Sequence, residues 1–484
     1  MKVLFTHSYF QQFDPKQVAH SQPYPPLGTM LAAACARERG YEVLLFDTMF
    51  LKGPELIEPV LKEFSPDVLV IYDDGFNYLT KMCLSNMREA AFKMQALAKK
   101  AGCRVVVTSS DAADHSQKYL QQGADFVIVG EAEHTLIELL DTFRQPDIST
   151  THINGLVYLN KHTLLKNPPR KVSKDLDSFP LPAWDLVDIA PYRDIWLKKH
   201  GYFSINVATT RGCPYKCNWC AKPIYGNAYH MRSPQNVISE LKLLKNLFDF
   251  DHIWFCDDIF GLKRSWVTEF AELVKKEGIL FRFKIQSRAD LLVQERYVED
   301  LATAGCDDVW MGAESGSQKI LDAMDKGTTV EQIRQARCLL QKHGIKASFF
   351  LQFGYPGENE ADIRSTINLV KEMLPDDIGI SVSYPLPGTI FYENVKSQLG
   401  EKTNWTHSDE LAMMYVSTYP SSYYKTLHRF VHSVYRAARA GDVLRGKGPL
   451  PLKAGAMGRY VKYTIHGLIQ KIRLRKEKIH AAAG

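Results

Sequence analysis

The clearest chemistry in this 484-residue chain lies in three closely spaced cysteines. Within Thr210-Arg211-Gly212-Cys213-Pro214-Tyr215-Lys216-Cys217-Asn218-Trp219-Cys220 their spacing is Cys-x3-Cys-x2-Cys. Three thiolates on one short loop can ligate three irons of a cubane and leave the fourth iron without a protein ligand. Other thiolate chemistries fit less well. A structural zinc site needs four ligands, and His230 stands alone downstream. A ferredoxin-like electron carrier wants a fourth cysteine within reach. A redox Cys-x-x-Cys made of Cys217 and Cys220 leaves Cys213 without a role. The remaining cysteines, Cys35, Cys83, Cys103, Cys256, Cys306 and Cys338, are scattered through apolar segments and read as small buried hydrophobes.

The elements after this loop must position whatever it holds. From NVATT onward, apolar runs alternate with helical stretches: HIWFCDD, then 266–277, FRFKIQSRAD, 297–304, DVWMGAESG, 330–343, KASFFLQFGYPGE, 360–373 and IGISVSYPLPGT. Six parallel strands with helical crossovers make a partial (β/α)6 barrel, whose active face is at the strand carboxyl ends. Those ends carry Asp257 and Asp258, Ser287 and Arg288, Glu314 and Ser315, and Gly354. Any one could be a helix N-cap, and for Asp258, Ser287 and Ser315 that alternative stays open. Their recurrence in phase with the strands favours a ligand site.

Loop and barrel together resemble the radical S-adenosylmethionine (SAM) superfamily. The resemblance implies a [4Fe-4S] cluster on Cys213, Cys217 and Cys220, with its open iron chelated by the amino and carboxylate groups of SAM. Reductive cleavage then yields methionine and a 5′-deoxyadenosyl radical, while the protein supplies placement and exclusion of water. A one-electron donor such as flavodoxin or ferredoxin is implied as a partner. Carried over position by position, the resemblance puts Trp219 beside the adenine, and Asp257 and Asp258 at the SAM amino group. It puts Arg288, with Ser287 beside it, at the methionyl carboxylate, which a guanidinium can hold bidentately. Glu314 and Ser315 fall near the ribose and methionine, and Gly354 where backbone approaches the adenine.

Residues 1–143 hold five apolar runs, VLF, EVLLF, DVLVIY, RVVVTS and ADFVIVG, separated by helix-length segments such as 87–101. This pattern predicts a doubly wound parallel sheet, which binds ligands beyond the carboxyl ends of its strands. Thr6-His7-Ser8, Asp73-Asp74-Gly75, Thr108-Ser109-Ser110 and Gly130-Glu131 fall at those ends, and Tyr24-Pro25-Pro26-Leu27-Gly28 enters the first helix. No dinucleotide glycine fingerprint follows the first strand. These segments resemble the cobalamin-binding domain that precedes many radical SAM enzymes, with Pro26, Gly28, Ser109, Gly130 and Glu131 implied as contacts. The Asp-x-His-x-x-Gly motif that supplies a histidine to cobalt is missing, and His7 lacks its surroundings. The resemblance is therefore to the branch without a protein histidine below the metal, as in the anaerobic magnesium-protoporphyrin monomethyl ester cyclase group. A domain that kept the fold and lost the corrin is the alternative. Residues 144–195 read as a linker with a short hairpin, stiffened by Phe179-Pro180-Leu181-Pro182, leading to the barrel at 196–395.

Residues 396–484 read as a helical C-terminal region with a basic tail. The chain as a whole carries +6, yet the segment 436–478 has twelve Lys/Arg and only Asp442 and Glu477 as acids. The body is thus mildly acidic, which argues against nucleic acid as a partner. Met457, Val461, Thr464, Ile465, Leu468 and Ile472 recur at helical spacing among these cations. Such a helix can lie on an anionic bilayer; alternatively the stripe packs on the barrel, or the tail is a solvated basic end. No apolar run spans a membrane, no signal peptide is evident, and the cysteine usage fits a reducing cytoplasm, so the expected location is cytoplasmic, with peripheral contact at the inner membrane face if the tail binds lipid.

The function expected is cobalamin-dependent C-methylation, or a related C–H functionalisation, of a small-molecule or lipid-like substrate. Oxidative cyclisation or hydroxylation without methyl transfer is one alternative. A non-catalytic iron–sulfur sensor is another, of a different class. No substrate acid or base can be named from the sequence.

Overall fold

The apolar runs of the N-terminal segment form strands whose two faces are both covered. β1 (Lys2–Thr6), β2 (Glu42–Phe46), β3 (Val68–Tyr72), β4 (Arg104–Thr108) and β5 (Phe126–Ile128) are parallel, in the order β2-β1-β3-β4-β5. Val3–Phe5, Val68–Ile71 and Val105–Val107 are fully buried, which is why these segments read as continuous apolar runs. Two further strands, β6 (Leu156–Asn160) and β7 (Thr163–Lys166), extend the sheet antiparallel from β5. The hairpin expected inside the linker thus belongs to the first sheet, which has seven strands rather than five.

The computed structural model describes residues 1–145, 149–446 and 450–483. By internal packing the chain divides into two units. One is Met1–Tyr215 with Ala221–Ile285 and Asn404–Glu410; the other is Lys216–Cys220 with Gln286–Thr403 and Leu411 onward.

The second large sheet comprises β8 (Ser204–Val207), β11 (His252–Phe255), β12 (Arg282–Ser287), β13 (Cys306–Glu314), β14 (Lys346–Phe353) and β15 (Ile378–Val382). Its order is β15-β14-β13-β12-β11-β8, and the division between units falls inside β12. The pairs β8/β11, β11/β12, β13/β14 and β14/β15 are parallel, as a half-barrel requires. Helices Arg264–Glu277, Glu295–Thr303, Val330–Lys342 and Glu360–Met373 occupy the predicted crossovers. Thr329 and Asn359 open the last two through capping boxes. Two short strands, β9 (Thr210–Arg211) and β10 (His230–Met231), form a separate antiparallel pair around the cysteine loop.

Four of the six scattered cysteines are buried as expected, but Cys35 is only partly buried and Cys338 is exposed. Two helices, Ser421–Arg445 and Leu450–Ala483, close the chain. The apolar stripe of the last one does not pack on the barrel: Met457, Val461, Ile465, Leu468 and Ile472 are each 47–57% exposed.

Candidate active site

In the first unit, the strand before the cysteines is fixed from several sides. Gly212 has φ +79°, and a Cβ there would lie 2.2 Å from the Ala228 carbonyl oxygen, so the turn into Cys213 admits only glycine. Asp257, just past β11, accepts hydrogen bonds from Thr209 N (2.8 Å), Thr209 Oγ1 (2.6 Å) and Thr210 N (2.8 Å). Burial raises its carboxyl to about 6, against the lowering by these hydrogen bonds. Expected at a ligand amino group, Asp257 has both oxygens engaged in holding the strand that leads to the cysteines. Its neighbour Asp258 pairs with Lys81 Nζ at 2.6 Å, on a partly exposed surface.

Arg211, immediately before Gly212, is buried between two acids. Its guanidinium pairs with Glu131 and, at 2.6 Å, with Glu133, and lies over the rings of Phe179 and Tyr225. Glu131 also accepts from Ser173 N at 2.7 Å. The acid expected at a corrinoid is thus engaged by the protein itself, joining the end of β5 to the cysteine strand. Lys222, past the loop, donates to the Cys213 carbonyl (3.1 Å) and to that of Tyr215.

The carboxyl ends of the first sheet are equally ordered. Asp73 accepts from Ser8 N and Oγ, and Asp74 from Leu27 N, Gly28 N and Phe76 N, which fixes the turn from Pro26 into the helix Leu27–Glu38. Burial raises both carboxyls. Ser109 caps the helix Ser110–Asp114 through Ala112 N, whereas the buried Ser110 Oγ has no hydrogen-bond partner. Gly130 has φ +84°, and a Cβ there would approach the Ile224 carbonyl oxygen at 3.7 Å. An unpartnered buried hydroxyl beside strand-end glycines fits a large ligand rich in amides, such as a corrinoid. His7 is held by Asp47 at 2.8 Å and by Thr48, consistent with a corrinoid bound without a protein histidine.

In the second unit, Asn218 anchors the far half of the loop. Its N–H donates to Met324 O (3.1 Å), its Nδ2 to Ala323 O (2.8 Å) and Asp325 (3.0 Å), and its Oδ1 accepts from Tyr355 OH (2.8 Å). Its carbonyl accepts from Phe391 N. Arg288 is buried, donates to Asp290 (2.9 Å) and to the Lys326 carbonyl (2.8 Å), and has Nη1 3.7 Å from Cys217 Sγ. Lys326 pairs with Glu314 at 2.8 Å and lies 5.9 Å from the Trp219 ring centroid. Burial lowers this lysine, but Glu314 and Cys217 outweigh it and hold the ammonium charged. Positive charge therefore surrounds the sulfur of Cys217, as a thiolate or an anionic cluster needs.

Other expected residues of this unit sit at strand ends without capping a helix. Ser315 Oγ accepts from Ser317 N and bonds Thr366 Oγ1, while Lys263, Arg288 and Ser317 occupy the N-cap positions of the nearby helices. The capping alternative for Asp258, Ser287 and Ser315 is therefore set aside. Gly354, with φ +83°, donates to Glu358 Oε2 (2.6 Å) and its carbonyl accepts from Tyr415 OH. Ser287 Oγ and Trp219 Nε1 are buried with no hydrogen-bond partner. A hydroxyl and an indole N–H left unpaired, near the cysteines in sequence or at a strand end, fit a polar ligand such as SAM. Arg211, Asn218, Lys222 and Lys326 were not anticipated; each acts through partners remote in sequence or through backbone carbonyls.

Residues 207–370 match the family model of the Radical SAM superfamily, so the chain carries a radical SAM domain. It is 27% identical to an uncharacterized methyltransferase of Pyrococcus horikoshii, over 79% of this chain and 81% of that protein. It is 25% identical to the hopanoid C-3 methylase of Methylococcus capsulatus, over 77% and 69%. With the anaerobic magnesium-protoporphyrin IX monomethyl ester cyclase of Rubrivivax gelatinosus it shares 26% identity over 57% of this chain and 49% of that one, so it spans about half of that cyclase. The fold matches the cobalamin-dependent S-adenosylmethionine radical enzyme OxsB with aqua-cobalamin and SAM bound, with TM-score 0.73 at 16% identity, over 97% of this chain and 72% of that chain.

Proposed function

We propose that the chain is a cobalamin-dependent radical SAM enzyme that functionalises an unactivated C–H bond, by C-methylation of a small-molecule or lipid-like substrate. The observation that carries this is the cysteine triad on a loop whose two halves are each held by buried polar networks, followed by parallel strands with unpartnered polar groups at their ends. When bound, a [4Fe-4S] cluster with SAM supplies a hydrogen-abstracting 5′-deoxyadenosyl radical, and a corrinoid supplies the methyl group.

In this proposal Cys213, Cys217 and Cys220 hold the cluster. Ser287, Arg288, Glu314, Ser315, Gly354 and Trp219 bind SAM, Asp257 orders the strand that leads to Cys213, and Asp258 is offered to the SAM amino group. Pro26, Gly28, Ser109, Ser110 and Gly130 border the corrinoid, and Glu131 positions the cysteine strand through Arg211. A flavodoxin- or ferredoxin-type donor supplies the electron. The methylases among the relatives support methyl transfer. The cyclase relative supports oxidative ring closure as a second reading. A peripheral position at an anionic membrane, within reach of lipid-like substrates, is part of the same proposal. Mass spectrometry after anaerobic incubation with SAM, corrinoid and reductant separates the outcomes. 5′-Deoxyadenosine with S-adenosylhomocysteine is expected for methylation, and deoxyadenosine alone for cyclisation. Formation of neither product would overturn the enzymatic assignment.

A further inference from the structure

The C-terminal helix Leu450–Ala483 is amphipathic in the reverse of the sense expected for a helix packed on its own protein. Toward the Ser421–Arg445 helix it buries Ala456, Gly467, Gln470 and Leu474. The contacts there are small or polar: Ser433 Oγ with His466 Nδ1 at 2.6 Å, Thr426 Oγ1 donating to Glu477 at 2.9 Å, and Ser433 Cβ 3.8 Å from a Cβ built on Gly467. The large apolar side chains lie on the other side. Met457, Val461, Ile465, Leu468 and Ile472, at i, i+4, i+8, i+11 and i+15, form one stripe, and each is about half exposed. A contiguous exposed stripe of this kind marks a surface that meets something apolar.

The charges say what that is. Between 453 and 478 the helix has eight Lys/Arg against the single acid Glu477, which is bonded to Thr426. At 3.6 residues per turn, Lys462 and Arg473 border one side of the stripe, Lys471 and Arg475 the other, and Lys476 sits at its C-terminal end. A second copy of this chain would bring two such cationic borders together. Among the described residues no helix is long and apolar enough to cross a membrane. We infer that this outer face is a docking surface for an anionic lipid bilayer. The helix lies in the plane of the membrane, its stripe enters the boundary of head groups and acyl chains, and its bordering cations meet the lipid phosphates. This inference rests on the peripheral position proposed above and assigns the face that makes the contact, whichever reaction the enzyme performs.

The test is flotation of the full-length, cluster-loaded protein with vesicles of phosphatidylcholine alone or mixed with phosphatidylglycerol. Wild type is expected to float with the anionic vesicles only, and to be released at high salt. Ile465→Glu/Leu468→Glu/Ile472→Glu and Lys462→Glu/Lys471→Glu/Arg473→Glu are each expected to lower the partition coefficient by on the order of tenfold. Both sets are surface positions, and unchanged circular dichroism and SAM cleavage confirm the fold. Leu280→Glu, at an 85% exposed apolar residue elsewhere, is the control and leaves flotation unchanged. Failure of the wild type to float, or equal flotation of wild type and both variants, overturns the inference. So does light scattering that shows a wild-type dimer dissociated by the apolar variant without any lipid binding, which would make this face a contact between copies.

Discussion

Replacing Arg211 by Met tests the buried charge cluster that orders the strand into Cys213. The Arg211 side chain is 3% exposed and those of Glu131 and Glu133 are 0% and 2% exposed, so solvent does little to screen the charges. Methionine fills most of the volume but leaves two buried carboxylates facing each other without a cation. Breaking a buried ion pair from one side costs about 3–5 kcal/mol, because the remaining charge is uncompensated. With roughly 2–4 °C per kcal/mol for domains of this size, the first unit should melt roughly 6–20 °C lower in calorimetry. Iron loading should fall with it, since Gly212 and Cys213 follow directly. Arg211→Met/Glu131→Gln/Glu133→Gln removes all three charges and should regain most of the loss, because a neutral cluster leaves no unpaired ion. A stability of Arg211→Met within about 1 kcal/mol of wild type, or a triple variant less stable than the single one, would show that this charge cluster is not what holds the strand.

Cys213→Ala/Cys217→Ala/Cys220→Ala should abolish the cluster; retained cluster absorbance with SAM cleavage would contradict the assignment. Asn218→Ala removes the side-chain hydrogen bonds to Ala323, Asp325 and Tyr355 and should lower both melting temperature and SAM affinity, checked by calorimetry and titration. Burial raises the Glu358 carboxyl to about 8, so the folded protein favours its protonated form. The stability this group contributes is present below its unfolded value of about 4.3 and is lost as pH rises through about 8. Glu358→Gln should therefore gain on wild type as melting is followed from pH 5 to pH 9; a constant difference would show that the carboxyl does not titrate there. Cob(II)alamin bound to the protein should show no nitrogen splitting from a protein histidine in paramagnetic resonance, because His7 is held by Asp47 and Thr48; such splitting would contradict the strand-end arrangement.

The cysteine loop was legible because its chemistry is local: three thiolates in eight residues need no fold to be recognised. The strands were legible because burial on both faces writes an unbroken apolar run, as in Val68–Ile71. The hairpin β6/β7 was readable as a hairpin, but its addition to β5 was not, since pairing Val127 with Val157 is a non-local choice that no periodicity encodes. The same applies within the site. Arg211 meets Glu131 across 80 residues and Asn218 meets Tyr355 across 137, so each side chain looks like an ordinary polar residue in sequence. Asp257 and Glu131 were legible as polar strand ends, but not as groups already engaged by the protein. In the tail the stripe from Met457 to Ile472 was visible in sequence; which face would be covered depended on the small and polar residues opposite.

Paramagnetic resonance of the anaerobically reconstituted, reduced protein with and without SAM decides whether the three loop cysteines hold a cluster with one open iron. About four irons per chain are expected, with a [4Fe-4S]⁺ signal that changes shape when SAM occupies the iron lacking a protein ligand. A signal unchanged by saturating SAM, or a fully loaded cluster in the protein lacking all three loop cysteines, would contradict the assignment.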